Sequence, residues 1–334
     1  MTKLEYIIWI FTASCNLNCL HCYTYRFREL RELSLQEKLQ LARDIGEAGV
    51  EYVNLTGGEP LIHPHFPQVL SLLSEYSVEK SVVTNATALC ESTADLLYRT
   101  ETYVFVTIEG PREVHDEIRG RGSYDLATRG VEVLRKRLSG LAIVSTVNKL
   151  NYKRVHEVVD YVASIDADGL ALLPVMPSGK ALKTRIYVSA EEYLEALENT
   201  WRRAREYGIK LSAWCTPWAP LLKRDIGFWF CREMSGMDID PEGNVLLCDI
   251  LDFRITSIRN KSVVEAFSEF KKHPLVRSVK SPPSLPESCL KCPILVGCGG
   301  GCYARAYVLR KDLNAGDPLC PRVCGLESSK RRAL

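Results

Sequence analysis

The sequence predicts an α/β fold of parallel βα units followed by a smaller, Cys-rich α+β region. Three observations carry that expectation. Up to about residue 208, apolar β-rich runs alternate with amphipathic helical stretches, as in chains whose parallel strands are joined by crossover helices. Several of those helical stretches open on readable caps. Near Leu211 the alternation stops, and nine of the 13 Cys lie between Cys215 and Cys324.

The predicted strands are Tyr6 to Phe11, Tyr52 to Leu55, Ser81 to Thr84, Tyr103 to Ile108, Leu141 to Val147 and Gly169 to Leu173. Ser34 with Glu37, and Ser189 with Glu192, have capping-box spacing, and Asn151 is expected to cap a helix running to about Ile165. Residues 209–230, with the Trp- and Pro-rich run LSAWCTPWAPLL, read as a bridging segment. A Cys-rich domain over 231–324 follows the parallel domain of 1–208, and 325–334 read as a basic tail. Within the Cys-rich domain, Met237 to Asp249 reads as a hairpin turning at Pro241, Glu242, Gly243 and Asn244. A short helix over Ser262 to Lys272 and a Pro-rich linker at 281–286 come next.

The chain has 334 residues, 46% of them hydrophobic, with 43 Lys and Arg against 41 Asp and Glu, a net charge of +2. That balance lacks the polyelectrolyte signature of a nucleic-acid binder. The apolar run Tyr6 to Phe11 is too short to span a bilayer and has no signal-peptide layout, so no membrane partner and a cytoplasmic location are expected. A chain this long does not need disulfides, and 13 is an odd number of Cys. Metal or cluster ligation in a reducing compartment is the better expectation.

Cys15, Cys19 and Cys22, in CNLNCLHC, follow the first strand. Three thiolates on one short loop can hold three irons of a cubane [4Fe–4S] cluster and leave the fourth iron open. A structural zinc would need a fourth ligand such as His21, which is poorly placed beside Cys22; plain buried thiols are the other alternative. The CxxxCxxC spacing, the GGEP run of Gly57 to Pro60, Thr84 and Asn85 ending the third strand, and TIEGP over Thr107 to Pro111 together resemble the radical S-adenosylmethionine (radical SAM) superfamily. The resemblance covers about the first 200 residues. It implies an open, partial (β/α)6 barrel, with S-adenosylmethionine held by its amino and carboxylate groups at the open iron and cleaved by one electron to a 5′-deoxyadenosyl radical.

Bottom-up reasons agree with those motifs. Gly57 and Gly58 allow close backbone approach at a strand's C-terminal end, although glycines alone read as an ordinary loop, and Glu59 can accept from an ammonium. Thr84 and Asn85 fit ribose hydroxyls or, alternatively, a helix cap. Family members often carry Asn-Gly and an Asp where this chain has Asn85-Ala86 and Glu109. Tyr23 and His21 flank the last Cys and either pack on adenine or shield the cluster. His115 and Asp116 resemble a structural stretch of the family, with Arg119 a contact to the cofactor carboxylate.

The second array is Cys231, Gly243, Cys248, then Cys289, Cys292, Cys298 and Cys302, then Cys320. It resembles the seven-Cys SPASM signature, CX9–15GX4C, CX2CX5CX3C, C. The resemblance implies two auxiliary [4Fe–4S] clusters with crossed ligation, three clusters in all: Cys231, Cys248 and Cys302 for the first, and Cys289, Cys292, Cys298 and Cys320 for the second. Paired zinc knuckles are the alternative by spacing. Cys215 is a candidate fourth ligand of the first auxiliary cluster, Cys324 a substitute or spare, and Cys90 an ordinary small buried residue. Asp249, next to Cys248, matches the residue regarded as the proton acceptor in the sulfatase-maturing branch; a hairpin-end carboxylate is the plain alternative.

The resemblance implies an enzyme that modifies a peptide or protein side chain, reduced by an external one-electron donor of flavodoxin or ferredoxin type. Alternatives are a tetrapyrrole or other small cofactor precursor as substrate, or a non-catalytic iron–sulfur electron carrier. Because the barrel begins within about ten residues of Met1, a peptide is expected to bind directly or on a separate partner.

Overall fold

The computed structural model describes residues 3–138 and 140–326. All six expected strands form: β1 (Tyr6–Thr12), β2 (Tyr52–Gly57), β3 (Glu79–Thr84), β4 (Tyr103–Thr107), β5 (Leu141–Val147) and β6 (Leu170–Pro174). They pair in parallel and in sequence order. Their β-branched and aromatic residues suit strands covered on both faces. Ile7, Trp9 and Phe11 of β1 enter the large core under the helices, whereas Ile10 faces the other side and packs with Ala13, Phe27 and Leu246.

Helices α1 (Leu35–Glu47), α2 (Phe66–Leu73), α3 (Glu91–Arg99), α4 (Arg112–Arg119), α5 (Ser123–Arg135), α6 (Val158–Ser164), α7 (Lys180–Thr184) and α8 (Ala190–Tyr207) lie between or after these strands. Both expected capping boxes are present, Ser34/Glu37 on α1 and Ser189/Glu192 on α8. Asn151 does not cap a helix. Its amide accepts from Asn148 N–H at 2.7 Å and donates to the Glu109 carbonyl at 2.8 Å, which uses its short polar reach to join two loops. A 3₁₀ turn, Val155–Glu157, comes before α6.

Residues 209–230 do more than bridge: β7 (Leu211–Ala213) and β8 (Gly227–Phe228) extend the parallel sheet. On the other side of β1 the expected hairpin, β9 (Gly236–Ile239) and β10 (Asn244–Leu246), joins the same sheet through a parallel β9–β1 pairing. β11 (Arg254–Ser257) completes eleven strands in the order β11-β10-β9-β1-β2-β3-β4-β5-β6-β7-β8. Trp229, just past β8, meets Tyr6 of β1 edge-on at 6.5 Å. Those strands are far apart in the sheet order, so the sheet curls into a partial barrel.

The remaining helices are α9 (Val263–Lys272), α10 (Pro274–Lys280), α11 (Glu287–Leu290), α12 (Leu295–Cys298) and α13 (Tyr303–Arg310). A third capping box, Ser262/Glu265, starts α9. The expected linker at 281–286 lies between α10 and α11. Most of the expected basic tail, from residue 327 on, lies outside the described residues. Among the described residues, no helix is long and apolar enough to cross a membrane.

Candidate active site and cysteine clusters

Parallel strands put their C-terminal ends, and the loops after them, on one side of the sheet. The Cys15–Cys22 loop follows β1 there, held by Leu20 N–H to the Ile118 carbonyl at 2.9 Å and Lys180 N–H to the Cys22 carbonyl at 3.0 Å. Cys15 meets the Leu17 N–H at 3.4 Å and Asn85 Nδ2 at 3.8 Å, Cys19 meets Arg119 Nη1 at 3.9 Å, and Cys22 Sγ shares a hydrogen bond with the Thr24 hydroxyl at 3.3 Å. Burial pushes the Cys15 thiol up to about 11, and the charges of Cys19 and Cys22 push the same way. Burial also raises Cys19, and thiols held in their neutral form by burial fit a shared cation, because coordination deprotonates them outright.

The glycine loop after β2 is laid directly on this Cys loop. Gly58 N–H bonds the Thr12 carbonyl at 2.7 Å and Glu59 N–H bonds the Ser14 carbonyl at 2.8 Å. Gly57 has φ +132°, and a Cβ there would stand 2.2 Å from the Thr12 oxygen; one on Gly58 would stand 2.1 Å from the Ser14 oxygen. Both positions therefore require glycine. The buried Glu59 carboxylate accepts from Thr84 Oγ1 at 2.7 Å, Asn85 N–H at 2.7 Å and Leu61 N–H at 3.1 Å. Thr84 and Asn85 thus orient Glu59, and the Asn85 side chain turns back to Asn16 at 3.1 Å and Thr87. Neither residue caps a helix.

Glu109 and Arg119 form a buried ion pair, with Arg119 Nε at 2.8 Å and Thr146 N–H at 2.6 Å donating to the carboxylate. Burial opposes the Arg119 charge, and Glu109 with Cys19 outweighs it. Thr107 donates to the Thr84 carbonyl at 3.3 Å. His21 Nε2 lies 3.7 Å from Glu109, and burial, then the Arg119 charge, keeps the imidazole neutral. Asp116 accepts from Gly122 and Tyr124 N–H groups, a structural role as expected.

The C-terminal thiols separate into two sets of four. Cys215, Cys231 and Cys248 are all pushed up first by burial, and the Cys302 charge, common to all three, pushes the same way. Cys215 has φ +51°, a costly conformation for a residue with a Cβ, and it turns off the end of β7 toward this set. Cys289, Cys292, Cys298 and Cys320 line a single cavity with Leu221, Leu295 and Arg322. Tetrahedral zinc, with Zn–S of about 2.3 Å, holds sulfurs only about 3.8 Å apart. Among the described residues, the one set of ligand atoms compact enough for a single ion is Asp238, Cys248 and Asp249. The cysteine sets are wider than the sulfur spacing of a single zinc ion. Cys324 points to the Cys320 carbonyl at 3.0 Å instead of joining either set.

Cys90 is exposed, contrary to expectation. It precedes α3, which turns Ala94 and Leu97 inward and leaves its first residues in solvent. Bonds from Ser92 and Thr93 lower its thiol to about 7.

A buried Arg305–Asp317 pair braces the first C-terminal set. Asp317 accepts from Arg305 Nε at 2.9 Å, Trp218 Nε1 at 3.0 Å and Cys302 N–H at 3.1 Å, while Arg305 Nη2 reaches the Cys215 carbonyl at 3.0 Å. Asp317→Ala is expected to cost about 3–5 kcal/mol because it strands a buried guanidinium. A denaturant midpoint equal to wild type would show that Arg305 finds another partner.

Asp249 stands where the two ends of the chain meet. Its N–H donates to Asp238 Oδ2 at 2.7 Å, Cys248 Sγ lies 3.5 Å from its carboxylate, and the Tyr23 hydroxyl donates to it. Tyr23 therefore reaches Asp249 from the first Cys loop. Arg26 clamps the same segment: its guanidinium donates to the Asp249 carbonyl, to Ile250 at 2.7 Å and to Leu251 at 3.2 Å, and pairs with Asp252 at 2.9 Å. Asp238, Cys248 and Asp249 are half-buried, with ligand atoms within 4.8 Å of one another. Sequence reasoning missed Arg26, Asp238 and the Arg305–Asp317 pair. Arg26 recognises backbone carbonyls, which leave no trace in side-chain spacing.

The model of the radical SAM superfamily matches residues 9–162. An AdoMet-dependent heme synthase of Methanosarcina barkeri is 25% identical, over 94% of this chain and 95% of its own length. The mycofactocin maturase MftC of Mycobacterium tuberculosis is 26% identical, over 94% of this chain and 82% of its own. Among solved structures, Streptococcus suis SuiB bound to precursor peptide SuiA superposes with a TM-score of 0.76 at 16% identity, covering 96% of this chain and 76% of that one. Native anSMEcpe with bound AdoMet gives 0.74 at 19% identity, covering 98% and 97%.

Proposed function

The chain belongs to the radical SAM superfamily, and from that premise we propose that it is a maturase that oxidises a peptide or protein side chain inside the partial barrel. It is a radical SAM enzyme of the SPASM type, so S-adenosylmethionine and a [4Fe–4S] cluster are its cofactors, and the carrier reading is set aside. Bound together and reduced by one electron, they supply a 5′-deoxyadenosyl radical that removes a hydrogen atom from substrate.

In this reading Cys15, Cys19 and Cys22 hold the first cluster. Gly57, Gly58, Glu59, Thr84, Asn85, Thr107, Glu109, Arg119 and Tyr23 form the S-adenosylmethionine wall, Glu59 accepting from its ammonium. The first auxiliary cluster takes Cys215, Cys231, Cys248 and Cys302, and the second takes Cys289, Cys292, Cys298 and Cys320. The domain limits of 1–208 and 231–324, an external flavodoxin- or ferredoxin-type donor and a cytoplasmic location belong to the same proposal. The observation that carries it is Asp249, tied to the first Cys loop by Tyr23 and Arg26 while adjoining Cys248. A carboxylate there faces whatever lies between the two thiol systems, and it can receive the proton that an oxidation releases.

A tetrapyrrole precursor is the second reading, favoured by the near full-length match to a heme synthase. Anaerobically reconstituted protein is expected to carry three cubanes, about twelve irons per chain. Deuterium should pass into 5′-deoxyadenosine from a labelled peptide substrate. Zinc in place of iron, or about four irons in folded protein, would overturn the auxiliary clusters. Label arriving from a deuterated porphyrin and from no peptide would overturn the peptide.

A further inference from the structure

Three cations surround one tyrosine on the outer side of the Cys15–Cys22 loop. Arg28, Lys180 and Lys183 lie 4.8, 5.0 and 5.7 Å from the Tyr25 ring centroid. No two of these charges are then more than about 11 Å apart, close to a Debye length in ordinary buffer. Among the described residues none of the three pairs with a carboxylate, whereas neighbouring Arg26 pairs with Asp252. Arg28 and Lys183 are exposed. Like charges gathered without counter-ions repel, and the electron-rich ring face relieves only part of that.

The patch is continuous with the first Cys loop. Arg28 Nη2 reaches the Leu17 carbonyl at 3.4 Å, and Lys180 Nζ donates to the Asn18 carbonyl at 3.1 Å. Leu17 and Asn18 lie between Cys15 and Cys19. A Cβ on Gly179 would stand 2.5 Å from the Cys22 oxygen, so the segment carrying Lys180 and Lys183 sits directly against the loop.

We propose that Arg28, Lys180 and Lys183 dock an acidic one-electron donor protein of flavodoxin type against the outer face of the Cys15–Cys22 loop. The inference rests on the radical SAM reading, which requires one electron from outside for each cleavage. Charge complementarity selects the occupant: an acidic surface supplies the missing counter-ions and is steered to the patch by its field. One electron would leave the reduced flavin, which passes from hydroquinone to semiquinone, and would reduce by one electron the [4Fe–4S] cluster that Cys15, Cys19 and Cys22 would hold, with no bond made or broken in that transfer.

The test uses the reconstituted holoenzyme, an acidic flavodoxin, and the R28E/K183E and R28Q/K183Q variants, with Lys180 left in place to hold Asn18. Charge reversal is expected to weaken the Kd for oxidised flavodoxin at least tenfold at low salt, with the neutral variant intermediate and the wild-type salt dependence largely lost. Flavodoxin-driven formation of 5′-deoxyadenosine should fall in parallel, while dithionite-driven formation stays within twofold of wild type. An unchanged Kd would overturn the docking surface. So would an unchanged flavodoxin dependence joined to a raised KM for peptide under dithionite, which would make the patch a site for acidic substrate. Failure of the wild type to form 5′-deoxyadenosine with dithionite would overturn the radical reading, and the flavodoxin titration would still decide the surface.

Discussion

Replacing Cys15, Cys19 and Cys22 together with Ala is expected to abolish reductive formation of 5′-deoxyadenosine while about two-thirds of the iron remains bound. The three thiols lie on one loop after β1, and none belongs to either C-terminal set of four. In the three-cluster reading proposed above, their removal deletes one binding site and leaves untouched the thiols proposed for the other two. The loop has anchors that do not depend on sulfur, through Leu20 to Ile118, Cys22 to Lys180 and Ala13 to Glu32, so the fold should survive. Iron and 5′-deoxyadenosine measured on the same anaerobic preparation check this. Cleavage at the wild-type rate would mean that a C-terminal set, not this loop, holds the reactive site.

The six parallel strands were legible because each is a short apolar, β-rich run set apart by amphipathic helical sequence, and local chemistry sufficed to place them. β7 and β8 were not, being three and two residues long within a Trp- and Pro-rich stretch. The hairpin at Met237 to Asp249 could be read from its turn, but its parallel pairing with β1 joins segments more than two hundred residues apart and has no local sign. The same division holds at the site. Cysteine spacing found both thiol arrays and marked Cys215, whose place in the first C-terminal set depends on the turn at the end of β7. Asp238 passed as one more polar residue in an alternating strand, and only the hairpin brings it to Asp249. Asn151 and Cys90 misled for different reasons: a cap-forming amide was claimed by two loops instead of a helix, and a residue type that is usually buried stands on the solvent-facing start of α3.

Asp249→Asn is expected to retain hydrogen abstraction and to lose product by about 10²–10⁴-fold, the usual worth of a positioned base. Two carboxylates lie together here, and their surroundings separate them. Burial raises the pKa of Asp249, while the Arg26 charge and the Tyr23 hydroxyl favour its ionised form. Burial also raises Asp238, and the neighbouring Asp249 charge raises it well beyond the ordinary carboxylate range. Like charges so close oppose each other's ionisation, and because Asp238 is raised further while Arg26 and Tyr23 favour ionised Asp249, Asp249 is the better placed of the two to act as the base. Asparagine preserves the shape and the N–H bond to Asp238 but cannot take a proton. Deuterium from labelled substrate should therefore still enter 5′-deoxyadenosine, and the substrate radical should be quenched or returned instead of oxidised. In the wild type, product formation should fall as pH drops through the raised pKa of Asp249, while 5′-deoxyadenosine formation falls less, so the ratio of the two reports the base directly. Product at the wild-type rate from Asp249→Asn, with no change in that pH profile, would reduce Asp249 to a hairpin-end residue and favour a substrate that releases its electron without a protein base.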